Sequence, residues 1–273
     1  MKDMRREDFD IRPIVTYWDT LHLLDVNRKL AGAFEETANA FVSKKLRRPV
    51  DVDVFFREVC QRYDLVPSTL GFEGFPGSLC VSVNDCIAHG VPKSRPFKRG
   101  DVVTLDATGY NGHYHSDVAE TFIYPRFGKD PDPNHVHLVK TTRCALDRAI
   151  RACRPGVRYC DLSDIIYKTA QDEGVYVVEG LGGHGIGRHI HMKPFIGNNP
   201  CPVVVGHASQ RRTMQKGDVI SIEPLFALGT SKTKHRRGDL NSIYTADGSI
   251  AAHFERNVII TDSGCEVLNE WRA

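Results

Sequence analysis

The sequence has no long apolar run, no CxxC pair and almost no net charge, and each absence removes a class of function. No stretch approaches the roughly eighteen consecutive apolar residues that span a bilayer, so membrane insertion is not expected. The opening residues, MKDMRREDFDIRPIV, mix acids and bases around no apolar segment, unlike a signal or transit peptide. Basic residues number 36 against 34 acidic ones, a net charge of +2, which creates no strong field for nucleic acid or membrane. Eight cysteines stand singly, as suits reduced thiols packed as small hydrophobes in a chain of 273 residues. A cytoplasmic monomer is the default expectation.

What is present is a pattern written twice. Apolar residues recur at helical spacing from Tyr17 to Val42 (Leu21, Leu24, Leu30, Phe34, Phe41), and a second helix is expected over 51–63. Strands follow at CVSVN (80–84), VVTLD (102–106) and AETFIY (119–124), before a Pro- and Asp-rich connection, GKDPDPN (128–134). The same order then returns. Helices are expected over 136–153 and 161–173, the latter capped by Asp161 or Ser163, with strands at 175–179, 218–223 and 257–261. A duplicated α+β unit is the economical reading, two halves facing each other across a pseudo-twofold axis with no domain boundary between them.

Within that repeat, KRGDVVTLD (98–106) corresponds to QKGDVISIE (215–223), and both copies end on a carboxylate. A carboxylate closing an apolar strand is costly unless paired or bound to a cation. Asp117 lies across the hairpin signal TGYNGHYHS from Asp106, so pairing of the two strands would bring both acids to one face. Like charges a few ångströms apart repel by several kcal/mol at an effective dielectric of about 20, and a divalent ion between them is the usual remedy. The second half adds GLGGHGIGRHIH, with His184 and His191, then Glu223 and Glu255. Four carboxylates and an imidazole form a hard donor set suited to two divalent first-row ions, and the lack of thiolate argues against structural zinc. The glycines also match G-x-G-x-x-G, but Pro194, Gly197 and Pro200 stand where a dinucleotide-binding helix would begin, and no acid follows at the required distance. Dense glycine here is expected to let backbone pass close to a ligand while holding the two histidines.

At these residues the chain resembles the type I methionine aminopeptidases of the pita-bread fold. The matching segments are FPGSLCVSVNDCIAHGVP (75–92), GDVVTLDATGYNGHYHSDVAETF (100–122), GGHGIGRHIHMKP (182–194), GDVISIEPLF (217–226) and HFERNVIITDSGCEVL (253–268). The resemblance implies a curved mixed, mainly antiparallel sheet covered by helices, as one domain over 21–273 behind a short extension, 1–20. It implies that Asp106, Asp117, His184, Glu223 and Glu255 bind two divalent ions (Co, Mn, Fe or Zn), with Asp117 and Glu255 bridging. It also implies removal of initiator methionine ahead of a small second residue, by water acidified between the ions. Glu223 would shuttle the proton, His191 would hydrogen-bond the carbonyl oxygen, and His89 would meet the scissile nitrogen or the first residue. Phe72, Phe75, Cys80 and Ile190 would line the methionine pocket beside His191.

Ile190 stands where the family commonly has an aromatic and Asn241 stands near a family tryptophan, both departures from the pattern, and the Cys/His-rich zinc-binding extension found in some members is not expected here. A methylene-scale mismatch changes preference by only about 1–3 kcal/mol, so the two pocket changes bear on specificity more than on chemistry. The segment 228–248 resembles an insertion and carries Lys232, Lys234, His235, Arg236 and Arg237. A solvated loop is expected there, with ribosomal RNA at the exit of nascent chains as the functional alternative. Two other readings of the chain remain: a proline-directed peptidase of the same fold, which usually carries a further N-terminal domain, and a catalytically silent partner- or RNA-binding protein, which would have lost metal ligands.

Overall fold

Helix α1 (Tyr17–Val42) opens the first half, capped by Thr16, whose hydroxyl accepts from the Asp19 N–H at 3.0 Å. The computed structural model describes residues 16–124, 130–200 and 211–271. The start of the expected extension, the beginning of GKDPDPN and Cys201 lie outside them. The buried stripe of α1 runs through Leu23, Val26, Leu30, Phe34 and Phe41, whereas Leu21 and Leu24 are exposed. Counting back from Leu30 in steps of three and four explains the difference, because the stripe passes through 26 and 23. Helix α2 (Pro49–Arg62) follows, then strands β1 (Val66–Pro67), β2 (Cys80–Val83), β3 (Cys86–Ala88), β4 (Val102–Tyr110) and β5 (His115–Ile123).

The second half repeats the plan. Helices α3 (Pro133–Ala152) and α4 (Tyr159–Asp172) precede β6 (Tyr176–Val177), β7 (Gly182–Gly185), β8 (Met192–Gly197), β9 (Val219–Ile222) and β10 (Leu225–Ala227). The chain ends with β11 (Thr233–Arg236), β12 (Asp239–Thr245), β13 (Ala251–His253), β14 (Arg256–Ile260) and β15 (Cys265–Val267). Neither expected residue caps α4. Arg158 is the cap, Asp161 accepts the Arg158 N–H from one turn inside at 3.0 Å, and Ser163 is buried within the helix.

Every strand ladder among the described residues is antiparallel. In the first half β1, β4 and β2 form a sheet with β5 on β4; in the second the order is β15-β14-β9-β7-β8. Each half buries its helices in its own apolar cluster, one centred on Phe34, Phe41 and Leu105 and the other on Leu146, Ile166 and Phe226. The halves join at a backbone bridge between Ala119 and Glu255, with the Glu255 N–H donating to the Ala119 carbonyl at 2.9 Å. Beside that bridge the buried Arg256 guanidinium donates to the carbonyls of Ala119 (3.1 Å) and Glu255 (2.7 Å) and pairs with Glu120.

No helix among the described residues is long and apolar enough to cross a membrane. The Arg256–Glu120 pair yields a stability test, because Arg256→Ala leaves the buried carbonyls of Ala119 and Glu255 without that donor while Glu120 keeps Arg143, at a cost of about 1–3 kcal/mol. Arg256→Ala is therefore expected to lower the urea midpoint by that equivalent. Lys168→Ala, which breaks an exposed pair with Asp172, is expected to change it by less than about 1 kcal/mol.

Candidate metal centre

Strand register decides which side chains meet. Thr108 lies opposite Asp117 in the β4–β5 ladder, so Asp106, two residues from Thr108, is the diagonal neighbour of Asp117 on the same face. In the second half His184 lies opposite Ser221, and Ser221 lies opposite Asn257. Glu223 and Glu255 are each two residues from those positions and share their face. The bridge at Ala119 then sets the two faces against each other.

The resulting contacts are close. The His184 Nε2 lies 3.6 Å from a Glu223 oxygen and 3.9 Å from a Glu255 oxygen. Its Nδ1 faces the Gly185 carbonyl at 3.0 Å, a contact that fixes the proton there and leaves Nε2 with a lone pair toward the acids. Asp117 accepts from the Thr108 hydroxyl at 2.9 Å, and its backbone N–H donates to the Asn257 side chain at 2.8 Å. Glu255 accepts from the Ser221 hydroxyl. Donor atoms of Asp117, His184 and Glu255 all lie within 4.8 Å of one another, and so do those of Glu223, His253 and Glu255.

The electrostatics explain what this packing requires. Burial, then the charges of Glu255 and Asp106, push the Asp117 carboxyl well above the ordinary range. Glu255 is raised in the same way, by burial and then by Glu223 and Asp106. Burial raises Asp106 as well, against the opposing effects of His253 and Cys80. Ionising all these acids in one buried space needs positive charge, and the donor set fits divalent ions.

Around the acids lies a cleft of about 110 Å³. It is lined by Phe72, Phe75, Cys80 and Ile190 with His89 and His191, so all the expected pocket residues meet there, and Asn241 joins them. Phe75, Cys80 and Ile190 are buried, whereas Phe72 is 40% exposed at the rim. Cys80 pairs with Asp106 across β2 and β4, which puts the apolar pocket directly beside the acids. The His191 ring stands 4.6 Å from that of His184 and 5.7 Å from that of Phe72. His89 holds a left-handed backbone (φ 53°), a strained state for a side-chain-bearing residue, and a Cβ at the adjoining Gly90 would meet the Val81 carbonyl at 2.4 Å.

The glycines of GLGGHG serve two ends: Gly182 lines the cleft beside His184, as expected, and a Cβ on Gly183 would stand 2.2 Å from the Ser221 carbonyl, so strand packing needs glycine there as well. The basic segment is a hairpin, β11–β12, rather than the expected loop, and its β12 pairs with β3 and brings Asn241 to the cleft. Three of its charges are engaged: Lys232 pairs with Glu179, Lys234 donates to the Ala246 carbonyl, and Arg236 pairs with Asp85 over the Tyr244 ring. His253, buried against Glu223, is a site residue that the sequence alone did not mark.

A model of metallopeptidase family M24 matches residues 25–262. Methionine aminopeptidase 1 of Schizosaccharomyces pombe is 35% identical over 80% of this chain, which spans 56% of that relative's length. The methionine aminopeptidase of Aquifex aeolicus is 36% identical over 81% of this chain and 84% of its own. The crystal structure of the methionine aminopeptidase from Thermotoga maritima superposes with a TM-score of 0.86 at 29% identity, covering 95% of this chain and all of that one.

The raised Asp117 carboxyl predicts a pH-dependent stability difference in the metal-free protein. A carboxyl with a folded pKa above its unfolded value of about 3.9 destabilises the folded chain progressively as pH rises from that value to the folded pKa. Chelator-treated Asp117→Asn should therefore gain urea stability relative to the parent between pH 5 and pH 8. A gap that stays constant or reverses over that range would contradict the assignment.

Proposed function

The chain belongs to metallopeptidase family M24, and from that membership and the site we propose that it is a methionyl aminopeptidase using two divalent ions to remove an N-terminal methionine ahead of a small second residue. The observation that carries this reading is the meeting of four acids and His184 from both halves beside a small apolar pocket. The ions would be held by Asp106, Asp117, His184, Glu223 and Glu255, with Asp117 and Glu255 shared. When bound, such ions supply a nucleophilic water near neutral pH and polarise the scissile carbonyl.

The chain's own groups do the rest. Glu223, at the end of β9 and facing the cleft, accepts the proton of the attacking water. His191 donates to the carbonyl oxygen as negative charge develops, and His89 meets the scissile nitrogen or the first residue. Phe75, Cys80 and Ile190 take the apolar side chain of the first residue, and the cross-strand pairing of Cys80 with Asp106 sets that pocket beside the acids. The silent-protein alternative requires a lost ligand, and each of the five lies at the cleft.

The test is methionine release from Met-Ala-Ser and Leu-Ala-Ser by stripped protein given manganese or cobalt. Metal-dependent release from the Met peptide alone is expected. Glu223→Ala should abolish it, and His191→Ala should lower kcat by about 10²–10³-fold with metal retained. Release from both peptides would discard the narrow specificity, and none under any metal would discard the enzyme.

A further inference from the structure

The side chain of His253 is buried in the acid cluster, yet the five expected ligands give it no task. It closes β13, opposite Leu225 of β10, while Glu255 stands just before β14. Phe254 between them is buried in the apolar cluster of the second half, so His253 and Glu255 both face the other way, into the cleft. The backbone is held from the first half as well: the Thr121 hydroxyl donates to the His253 carbonyl at 2.6 Å and accepts its N–H at 2.9 Å. The ring, buried on every side, has little freedom to turn away.

Its Nε2 lies 3.4 Å from a Glu223 oxygen and 3.8 Å from a Glu255 oxygen. Two donors bound about 2.1 Å from one ion at a tetrahedral angle stand about 3.4 Å apart, so the spacing suits a shared ion. It is too long for a good hydrogen bond, and neither ring nitrogen makes one, at 2% exposure. An imidazole buried without a hydrogen bond is costly, and coordination would relieve that cost at one nitrogen.

We infer that His253 is a sixth metal ligand, its Nε2 joining Glu223 and Glu255 on an ion of the pair, so that two imidazoles, His184 and His253, serve the two ions. This rests on the two-ion reading above and goes beyond its ligand set. A second nitrogen donor shifts the site's preference from manganese toward cobalt and zinc, because imidazole favours later first-row ions over a purely oxygen shell.

X-ray absorption at the metal edge tests this on the full chain loaded with two equivalents of zinc or cobalt. Outer-shell scattering should count an average of one imidazole per ion, and His253→Gln should halve that count and weaken the second equivalent by at least about tenfold. Two bound ions with half an imidazole each in the parent would overturn the assignment and leave the enzyme reading intact. A full count that persists in His253→Gln would also overturn it. If neither ion binds the parent, the two-ion enzyme reading itself fails. The parent count stands alone should the variant not fold.

Discussion

The mutual repulsion of four carboxylates packed in one low-dielectric space is the constraint on which the rest of the structure depends. Unscreened charges a few ångströms apart in such a space cost several kcal/mol per pair, about what a typical domain can lose before unfolding. The fold therefore has to supply two things at once. It must hold the acids rigidly enough that they cannot splay apart, and it must keep them protonated or give them a cation. The raised carboxyls of Asp117 and Glu255 are the first answer, and the ring nitrogens of His184 and His253 point to the second.

Rigidity comes from placing each ligand next to a fixed backbone rather than on a loop. Asp106 and Asp117 sit within the longest hairpin, and Glu255 sits at the bridge that joins the halves. Asn257 accepts from the Asp117 N–H and the Ser116 hydroxyl, so the strand carrying Asp117 is fastened to the strand that follows Glu255. Arg256 adds a buried positive charge one residue from Glu255, but its guanidinium is spent on Glu120 and two carbonyls. It stabilises the junction and leaves the acids' charge for an ion to balance.

The parts legible in the sequence are those in which period and chemistry agree. Alternation around Asp106 and the turn before Asp117 were sufficient to place both acids on one face, and the repeated strand pointed to a matching Glu223. Four helices were visible by their apolar spacing, although the true stripe of α1 runs through Leu23 and Val26. The hairpin at 233–245 was hidden because its first strand, β11, is basic and exposed, which reads as loop until β3 is seen to pair with β12. Strand β8 was hidden by Pro194 and Gly197, which break propensity but suit a strand lying at a sheet edge. His253 was missed because one histidine beside a glutamate is unremarkable until the fold places Glu223 against it.

The most direct measurement is the number of protons released when the stripped protein binds manganese or zinc, by calorimetry at pH 7 in buffers of different ionisation enthalpy. Acids held protonated by burial and by one another must give up protons to a cation, so the account predicts net release on saturation. Tight binding without proton release would show that the acids were already ionised, and the central constraint would be wrong.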